Sequence, residues 1–357
     1  MRRLRICLIA SSRFPVSEPF AGGLEAHTHA LATELRARGH SVTLFAAPGS
    51  DPELGADALD VEAFEPGEAA RADVGAPPEA WMREHHAYLG LMLDLARTGA
   101  DRFDIVHNNS LHHLPVAMSS ALTVPMVTTL HTPPTPWLES AIRLTPSARF
   151  VAVSRFTAEQ WRSSTGAGVI LNGVDTERWA VGEGGGGAIW FGRFVPEKAP
   201  HLAIHAARIA GMPLDLAGPI FDREYFQRKV EPLLDARVRY VGHLDTRELA
   251  ARVGRASVTA VTPLWEEPYG LVAAESMACA TPVAAFDRGA LSEFVVPAGG
   301  RLATPGDPDA LAEAMLAAAA LPRDEVRRHA LEHCSLQTMT DRYETLYEQQ
   351  TTRMLAA

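Results

Sequence analysis

Short apolar runs alternate with helical patterns along most of this 357-residue chain, and this alternation limits its possible folds more than any other feature. Residues 4–10 are apolar, residues 24–38 carry apolar side chains at helical spacing, and residues 41–46 are apolar again. A strand, a helix and a strand in this order predict a βαβ unit, and hence a parallel sheet. The pattern continues with predicted strands at residues 104–107, 125–131 and 150–154 and a predicted helix at residues 79–96.

A second series of strand and helix patterns follows a glycine-rich segment at residues 182–187. Its predicted strands are residues 188–192, 214–217, 238–241, 258–262 and 281–285. Because single cores stop growing at about 250–300 residues, we expect two α/β domains. We place a first Rossmann-like domain at residues 1–165 and a second at residues 166–335. An amphipathic C-terminal helix within residues 336–357 is expected to return to the first domain.

The composition excludes several classes of function. Hydrophobic residues make up 47% of the chain, which is enough for well-filled cores. The formal net charge of −10 argues against a nucleic-acid partner, because binding to phosphates needs clustered Lys and Arg. The three cysteines have no paired spacing, and neither a signal peptide nor a run of about 18 apolar residues is present. We therefore expect a reduced, cytoplasmic protein with no transmembrane segment.

The stretch of residues 265–275 is the candidate active site. It follows a predicted strand with a tight loop and then begins a helix, so its backbone N–H groups and helix dipole favour an anion. Ligands of open α/β sheets bind at this end of the strands. Glu267 lies in the loop and Glu275 about one turn into the helix. These carboxylates suit either hydrolysis by an acid and a nucleophile or the binding of different parts of one ligand.

Two further motifs could bind phosphate. Arg193 and Lys198 lie in the loop after the strand at residues 188–192, where a guanidinium fork and an ammonium can bind a diphosphate. Gly22 and Gly23 precede the first helix, and they are either a flexible turn or a close approach of backbone to a phosphate. No GxGxxG fingerprint of a dinucleotide site is present.

The fourteen histidines have spacings that argue against a metal site. There is no HExxH motif, and the pairs at residues 27 and 29, 85 and 86, and 112 and 113 would point their rings in different directions. His131 differs because it ends a predicted strand and would face the cleft between the domains. It is either a site residue or a hydrogen-bonded residue at the end of a strand.

Taken together, these motifs resemble the retaining glycosyltransferases of family 4. That family has the GT-B fold, in which two Rossmann-like domains face each other across a cleft. The resemblance extends almost from end to end. It rests on Gly22-Gly23, Arg38-Gly39-His40, Asp104-Ile105-Val106-His107, Thr129-Leu130-His131, Ser154-Arg155-Phe156, Asn172-Gly173-Val174-Asp175, Gly192-Arg193, Glu197-Lys198, Tyr240-Val241-Gly242, and Glu267 with Glu275.

The resemblance implies a donor substrate, a nucleotide-diphosphate sugar linked to UDP, GDP or dTDP, and neither a metal nor another cofactor. It implies a site for the donor diphosphate formed by Gly22, Gly23, Arg193, Lys198, Gly270, Leu271 and Val272. Glu275 would take the ribose hydroxyls, and Glu267 and His131 would be the catalytic residues at the donor sugar. An epimerase or phosphorylase of the same fold, or an inert nucleotide-sugar-binding protein, is the alternative.

The resemblance leaves the acceptor open to a small molecule, a glycan or a lipid-linked compound. Residues 51–78, with a predicted edge strand at residues 60–64, lie where an acceptor is expected but match no motif. A set of aromatic and imidazole side chains would either line an acceptor pocket or belong to core and loops: Trp81, His112, His113 and Trp137. Ala280 stands where the family usually has Gly, and a left-handed conformation there would be strained.

Overall fold

The computed structural model describes residues 2–59 and 66–355. Within these ranges, the first of two parallel sheets has seven strands in the order β3-β2-β1-β4-β5-β6-β7. Its strands are β1 (Arg5–Ile9), β2 (Ser41–Ala46), β3 (Ala56–Ala58), β4 (Ile105–Asn108), β5 (Met126–Leu130), β6 (Arg149–Ala152) and β7 (Gly168–Val169). The edge strand predicted at residues 60–64 lies outside the described residues.

Helices cover both faces of this sheet, as the βαβ pattern requires. The helices of this part of the chain are α1 (Gly23–Ala37), the exposed α2 (Glu68–Arg71), α3 (Glu79–Arg102), α4 (His113–Ala117), α5 (Pro136–Leu144) and α6 (Arg155–Gln160), with 3₁₀ turns at Pro52–Leu54 and Ser119–Ala121. Helix α3 continues beyond the predicted end at residue 96. It does so through Gly99, where a Cβ atom would lie only 3.2 Å from Cγ1 of Val124. Packing against the sheet there outweighs the low helix propensity of glycine.

The second sheet, in the described part of the chain, has six parallel strands in the order β10-β9-β8-β11-β12-β13. Its strands are β8 (Ala188–Phe191), β9 (Leu214–Ala217), β10 (Val238–Tyr240), β11 (Val258–Val261), β12 (Val283–Phe286) and β13 (Gly300–Ala303). Its helices are α7 (Pro200–Ile209), α8 (Arg223–Tyr225), α9 (Thr246–Arg255), α10 (Leu271–Ala278), α11 (Pro308–Ala319) and α12 (Arg323–His333), with a π-turn at Phe226–Val230 and 3₁₀ turns at Pro196–Lys198, Glu231–Leu233 and Gly289–Glu293. The prediction of two Rossmann-like parallel-sheet domains is confirmed.

The last helix, α13 (Leu336–Leu355), packs on the core of the first sheet. Tyr347 is fully buried, and its hydroxyl lies 2.6 Å from Nδ1 of the equally buried His107 on β4. Glu344 lies 2.8 Å from Nε2 of His40 and 2.6 Å from a guanidinium nitrogen of Arg38. These contacts confirm the expectation that the C-terminal helix returns to the first domain.

Helix α10 is followed by an alanine at a position that is usually glycine. Ala280 follows this helix with φ of +61° and is almost fully buried, so the strained left-handed conformation expected from the sequence is present. Two backbone bonds hold the turn: Ala280 donates to Met277 O at 2.9 Å and Thr281 to Ser276 O at 2.9 Å. No helix in the described ranges combines the length and the hydrophobicity that crossing a membrane requires.

Candidate active site between the two sheets

A cleft of about 450 Å³ lies between the two domains and is lined by residues that follow the carboxyl ends of strands in both sheets. This is the edge at which parallel α/β sheets bind ligands. All ten residues predicted for the site line this one cleft: Gly22, Gly23, His131, Arg193, Lys198, Glu267, Gly270, Leu271, Val272 and Glu275. The structure therefore brings the predicted set together.

The loop after β11 is shaped by one glycine. Gly270 caps the N-terminus of α10 with φ of +98°, and a Cβ atom there would lie 2.5 Å from Cδ2 of Leu291. Both facts require glycine at this position. The helix then begins with the N–H groups of Leu271 and Val272, which have no acceptor within the helix and belong to residues that line the cleft.

Residues of both domains hold this loop in place. The hydroxyls of Ser154 and Thr157, which follow β6 of the first sheet, donate to Pro268 O at 2.6 and 3.1 Å. From the second domain, Ala290 N donates to Glu267 O at 2.8 Å. The loop that carries the predicted catalytic carboxylate is thus fixed by hydrogen bonds from opposite sides of the cleft.

Glu267 and Lys198 form an ion pair at the wall of the cleft. Nζ of Lys198 lies 2.5 Å from Oε2 of Glu267, and Nε1–H of Trp265 donates to the same oxygen at 3.0 Å. The ammonium also lies 5.0 Å from the centroid of the Trp265 ring. Oε2 is therefore occupied, and Oε1 is the oxygen that can accept hydrogen bonds from a ligand. The role of Trp265 was not predicted, although its place two residues before Glu267 could have suggested it.

Arg193 is a cation with no carboxylate partner among the described residues. Its guanidinium lies over the Phe221 ring, with 5.6 Å between Cζ and the ring centroid. Gly22 approaches Arg193 from the first domain, since a Cβ atom at Gly22 would lie 3.9 Å from Cδ of Arg193. Gly23 approaches the start of α10, since a Cβ atom at Gly23 would lie 3.1 Å from Cδ1 of Leu271. The start of α1 thus closes against the cationic side of the cleft.

Burial changes the protonation of two carboxyl groups at the cleft. It raises the pKa of Glu275 to about 8, because the charged form loses hydration there. The Glu275 carboxyl accepts no hydrogen bond from the described part of the protein. Burial also raises the pKa of Glu25 on α1, and the nearby Arg193 guanidinium opposes this shift. The role of Glu25 was not predicted from the sequence.

His131 and His27 form a neutral imidazole pair on the first-domain side. Nε2 of His131 lies 2.8 Å from the side-chain oxygen of Asn109, so Nε2 donates and Nδ1 is left as an acceptor. Burial lowers the pKa of His131 well below its ordinary value and that of His27 to about 4. The rings are 5.0 Å apart, and neither nitrogen of His27 has a partner in the described ranges. The sequence could have indicated His27 as a site residue, because it lies one helical turn after Gly23.

Possible metal ligands lie elsewhere. Among the described residues, the group whose ligand atoms come together is His85, His112 and His113, and none of these three lines the cleft. The cleft itself presents the cations of Arg193 and Lys198, besides Arg13 and Arg178, together with a helix N-terminus, carboxyls and neutral imidazoles. Such a set can bind a polar ligand that carries a compact negative charge at one position and hydroxyl groups on either side of it.

Comparisons with known proteins agree with this arrangement. Residues 21–178 match the model of Glycosyltransferase Family 4, and residues 178–332 match Glycosyl transferases group 1. A glycogen synthase of Mycobacterium tuberculosis is 30% identical over 337 residues, which cover 82% of this chain and 80% of that protein. The structure of AviGT4, a glycosyltransferase involved in avilamycin A biosynthesis, has a TM-score of 0.72 and 23% identity over 98% of both chains. HepE of Anabaena, solved in complex with UDP-glucose, has a TM-score of 0.73 and 18% identity over 97% of this chain and 100% of that chain. This chain therefore belongs to the GT-B glycosyltransferases of family 4.

Proposed function

We propose that this protein transfers a sugar from a nucleoside-diphosphate sugar to an acceptor hydroxyl with retention of anomeric configuration, and that no metal ion acts at the donor. The single observation that carries the proposal is the convergence of Arg193, the Lys198–Glu267 pair and the N-terminus of α10 on one cleft. Gly22 and Gly23 lie opposite, where a Cβ atom would approach the side chains of Arg193 and Leu271 respectively.

The first part of the argument concerns the leaving group. Breaking the bond between the sugar and the diphosphate builds negative charge on a phosphate oxygen. Arg193 can bind it as a fork, Lys198 as a point charge, and the free N–H groups of α10 through backbone hydrogen bonds. Because these donors are already in place, they stabilise the charge without the divalent ion that other phosphate sites use.

The second part concerns the position of the sugar. Since Nζ of Lys198 and Oε2 of Glu267 are 2.5 Å apart, the ligand groups that they bind must be neighbours. In a nucleoside-diphosphate sugar, the distal phosphate and the sugar hydroxyls are such neighbours. Oε1 of Glu267 would accept a sugar hydroxyl while Lys198 also contacts the phosphate. The neutral imidazoles of His27 and His131 lie on the first-domain side of the cleft, where Nδ1 of His131 can accept another sugar hydroxyl.

The ribose end is assigned to Glu275. This carboxyl has no protein partner in the described residues, and a ribose diol would supply the hydrogen-bond donors that it lacks. Its raised pKa means that it is largely protonated at neutral pH before a nucleotide binds. Accepting two ribose hydroxyls favours the ionised form, so nucleotide binding should release a proton from Glu275 below pH 8.

In the reaction that we propose, no side chain of the protein acts as a nucleophile. The bond between the anomeric carbon and the phosphate oxygen breaks, and the acceptor oxygen forms its bond on the same face. The proton of the acceptor hydroxyl passes to the leaving phosphate oxygen. In this scheme Glu267 orients the sugar and does not become covalently linked to it.

The donor assignment is tested with purified protein and radiolabelled sugars linked to UDP, GDP and dTDP. UDP-glucose comes first, because HepE was solved with it. Arg193→Ala and Glu267→Ala should each lower kcat/KM by about 100-fold or more, as expected when a group that stabilises transition-state charge is removed. The matched control, Arg162→Ala, changes an exposed arginine outside the cleft and should leave the rate unchanged. Full activity in both cleft variants would show that the site is wrongly assigned.

Four further measurements separate this proposal from its alternatives. NMR of the product should show the anomeric configuration of the donor, and an inverted product would rule out retention. Addition of Mg²⁺ or Mn²⁺ to the chelator-treated protein should not change the rate. An epimerase would change the donor sugar without any acceptor. An inert binding protein would show only thermal stabilisation, about 2.7 kcal/mol at 100 times the dissociation constant, and no product.

A further inference from the structure

Three histidines converge at the surface of the first domain, outside the cleft. His85 lies on α3, His112 precedes α4, and His113 is the first residue of α4. One ring nitrogen from each can be chosen so that all three lie within 4.8 Å of one another. The adjacent pair does not point apart as the sequence predicted: residue 112 is extended, residue 113 begins a helix, and their rings stack with centroids 4.4 Å apart.

Aromatic rings enclose this cluster. Trp81 stacks on His85 at 5.2 Å, Tyr88 stacks on His112 at 4.4 Å, and Trp137 stacks on His113 at 5.0 Å between ring centroids. Nδ1 of His85 is buried and has no hydrogen-bond partner in the described residues. Burial lowers the pKa of all three imidazoles.

We propose that His85, His112 and His113 bind one divalent transition-metal ion, with zinc as the preferred ion. Neutral imidazole is a strong ligand for zinc, and three protein nitrogens leave a fourth position for water or another ligand. The three histidines come from two segments of the chain, so the ion would link α3 to the segment between β4 and α4. Leu111 in that segment lines the cleft, which places the ion beside the first-domain edge of the active site.

Neighbouring groups set the cost of binding. Leu114 donates its backbone N–H to Nδ1 of His112 at 3.2 Å. Ligation through Nδ1 displaces this bond directly, and ligation through Nε2 ends it because the ring proton must then be on Nδ1. Glu84 favours a cation near His113, whereas Arg13 opposes one near His112. Since Arg13 and Glu84 are themselves paired at 3.3 Å, their effects partly cancel.

The test uses the full-length protein without a polyhistidine tag, stripped of metal by a chelator and titrated with Zn²⁺ against a chromophoric competitor at pH 7.5. We expect one equivalent of tightly bound zinc. Co²⁺ should produce visible absorption bands typical of nitrogen ligation. Both His85→Ala and His113→Ala should weaken zinc binding by more than about tenfold. His333→Ala, which changes an exposed histidine on α12 of the second domain, is the matched control and should bind zinc like the unaltered protein.

The variants are first compared by thermal unfolding in chelator, where they should match the unaltered protein. His112→Ala is avoided because the ring of His112 also caps α4. The proposal is overturned if no equivalent of zinc binds, or if binding is weak, involves several equivalents and is unchanged in His85→Ala and His113→Ala. Transfer activity is not the readout, so the result does not depend on the donor assignment.

Discussion

Gly270→Ala offers a direct test of how the loop before α10 is built. Alanine at φ of +98° is strained by about 1–2 kcal/mol. Its Cβ atom would also lie 2.5 Å from Cδ2 of Leu291, and moving that buried side chain costs about 1–3 kcal/mol more. The total destabilisation is therefore about 2–5 kcal/mol, and relief by a shift of the loop would also displace the N–H groups at the start of α10.

Gly242→Ala is the matched control for the backbone strain. Gly242 has the same φ of +98°, but a Cβ atom there would meet no atom within 4 Å. The two variants therefore share the strain and differ in the contact with Leu291. Because 1 kcal/mol corresponds to about 2–4 °C in a domain of this size, the contact with Leu291 should make Gly270→Ala unfold roughly 2–12 °C below Gly242→Ala. Thermal unfolding followed by circular dichroism measures the difference. Equal midpoints for the two variants would refute the steric part of the reasoning.

Three further changes have defined outcomes. Glu275→Gln should raise the unfolding midpoint at pH 9 and have little effect at pH 4.5. Because the pKa of Glu275 is raised to about 8, the folded protein keeps a proton that the unfolded chain releases above about pH 4.3. The carboxyl therefore lowers stability progressively as the pH rises from about 4.3 to about 8. An equal effect of Glu275→Gln at pH 4.5 and pH 9 would contradict this reasoning. When Lys198→Ala and Glu267→Ala are combined, the loss of unfolding free energy should be smaller than the sum of the two single losses, because each single change leaves a charge without its partner. Strict additivity would mean that the pair is not coupled. Tyr347→Phe should lower stability by about 1–3 kcal/mol, since it removes the partner of the buried Nδ1 of His107, and an unchanged midpoint would count against that bond.

The sequence predicted most of the fold because its periodicity is strong. β2 lies at residues 41–46, as the sequence predicts, and the ends of the other predicted strands that fall within the described residues differ by at most two residues. The strand β13, Gly300–Ala303, was not predicted, because its sequence GRLA is short, contains glycine and arginine, and has no alternation. It forms because β12 offers it a complete edge, and that information is tertiary.

The candidate site was predicted as a set of residues but not as a set of contacts. Motifs at the ends of strands converge by topology alone, which is why all ten residues line one cleft. Side-chain pairing depends on rotamers and on loops that the pattern does not describe. The bond between Lys198 and Glu267 is such a contact, and it joins two residues to which the sequence analysis assigns separate roles.

The histidines show why spacing alone is a weak test for a metal site that spans two elements. Motifs such as HExxH apply when both ligands lie on one helix, where i and i+4 share a face. His85 is 27 residues before His112, so no local rule relates them, and the loop between β4 and α4 sets their distance. Because residue 112 is extended and residue 113 is helical, the alternation expected of adjacent side chains is lost at that junction. A helix N-terminus that follows directly on an extended residue can therefore turn two adjacent histidines to one side, and the third ligand needs only a neighbouring helix such as α3.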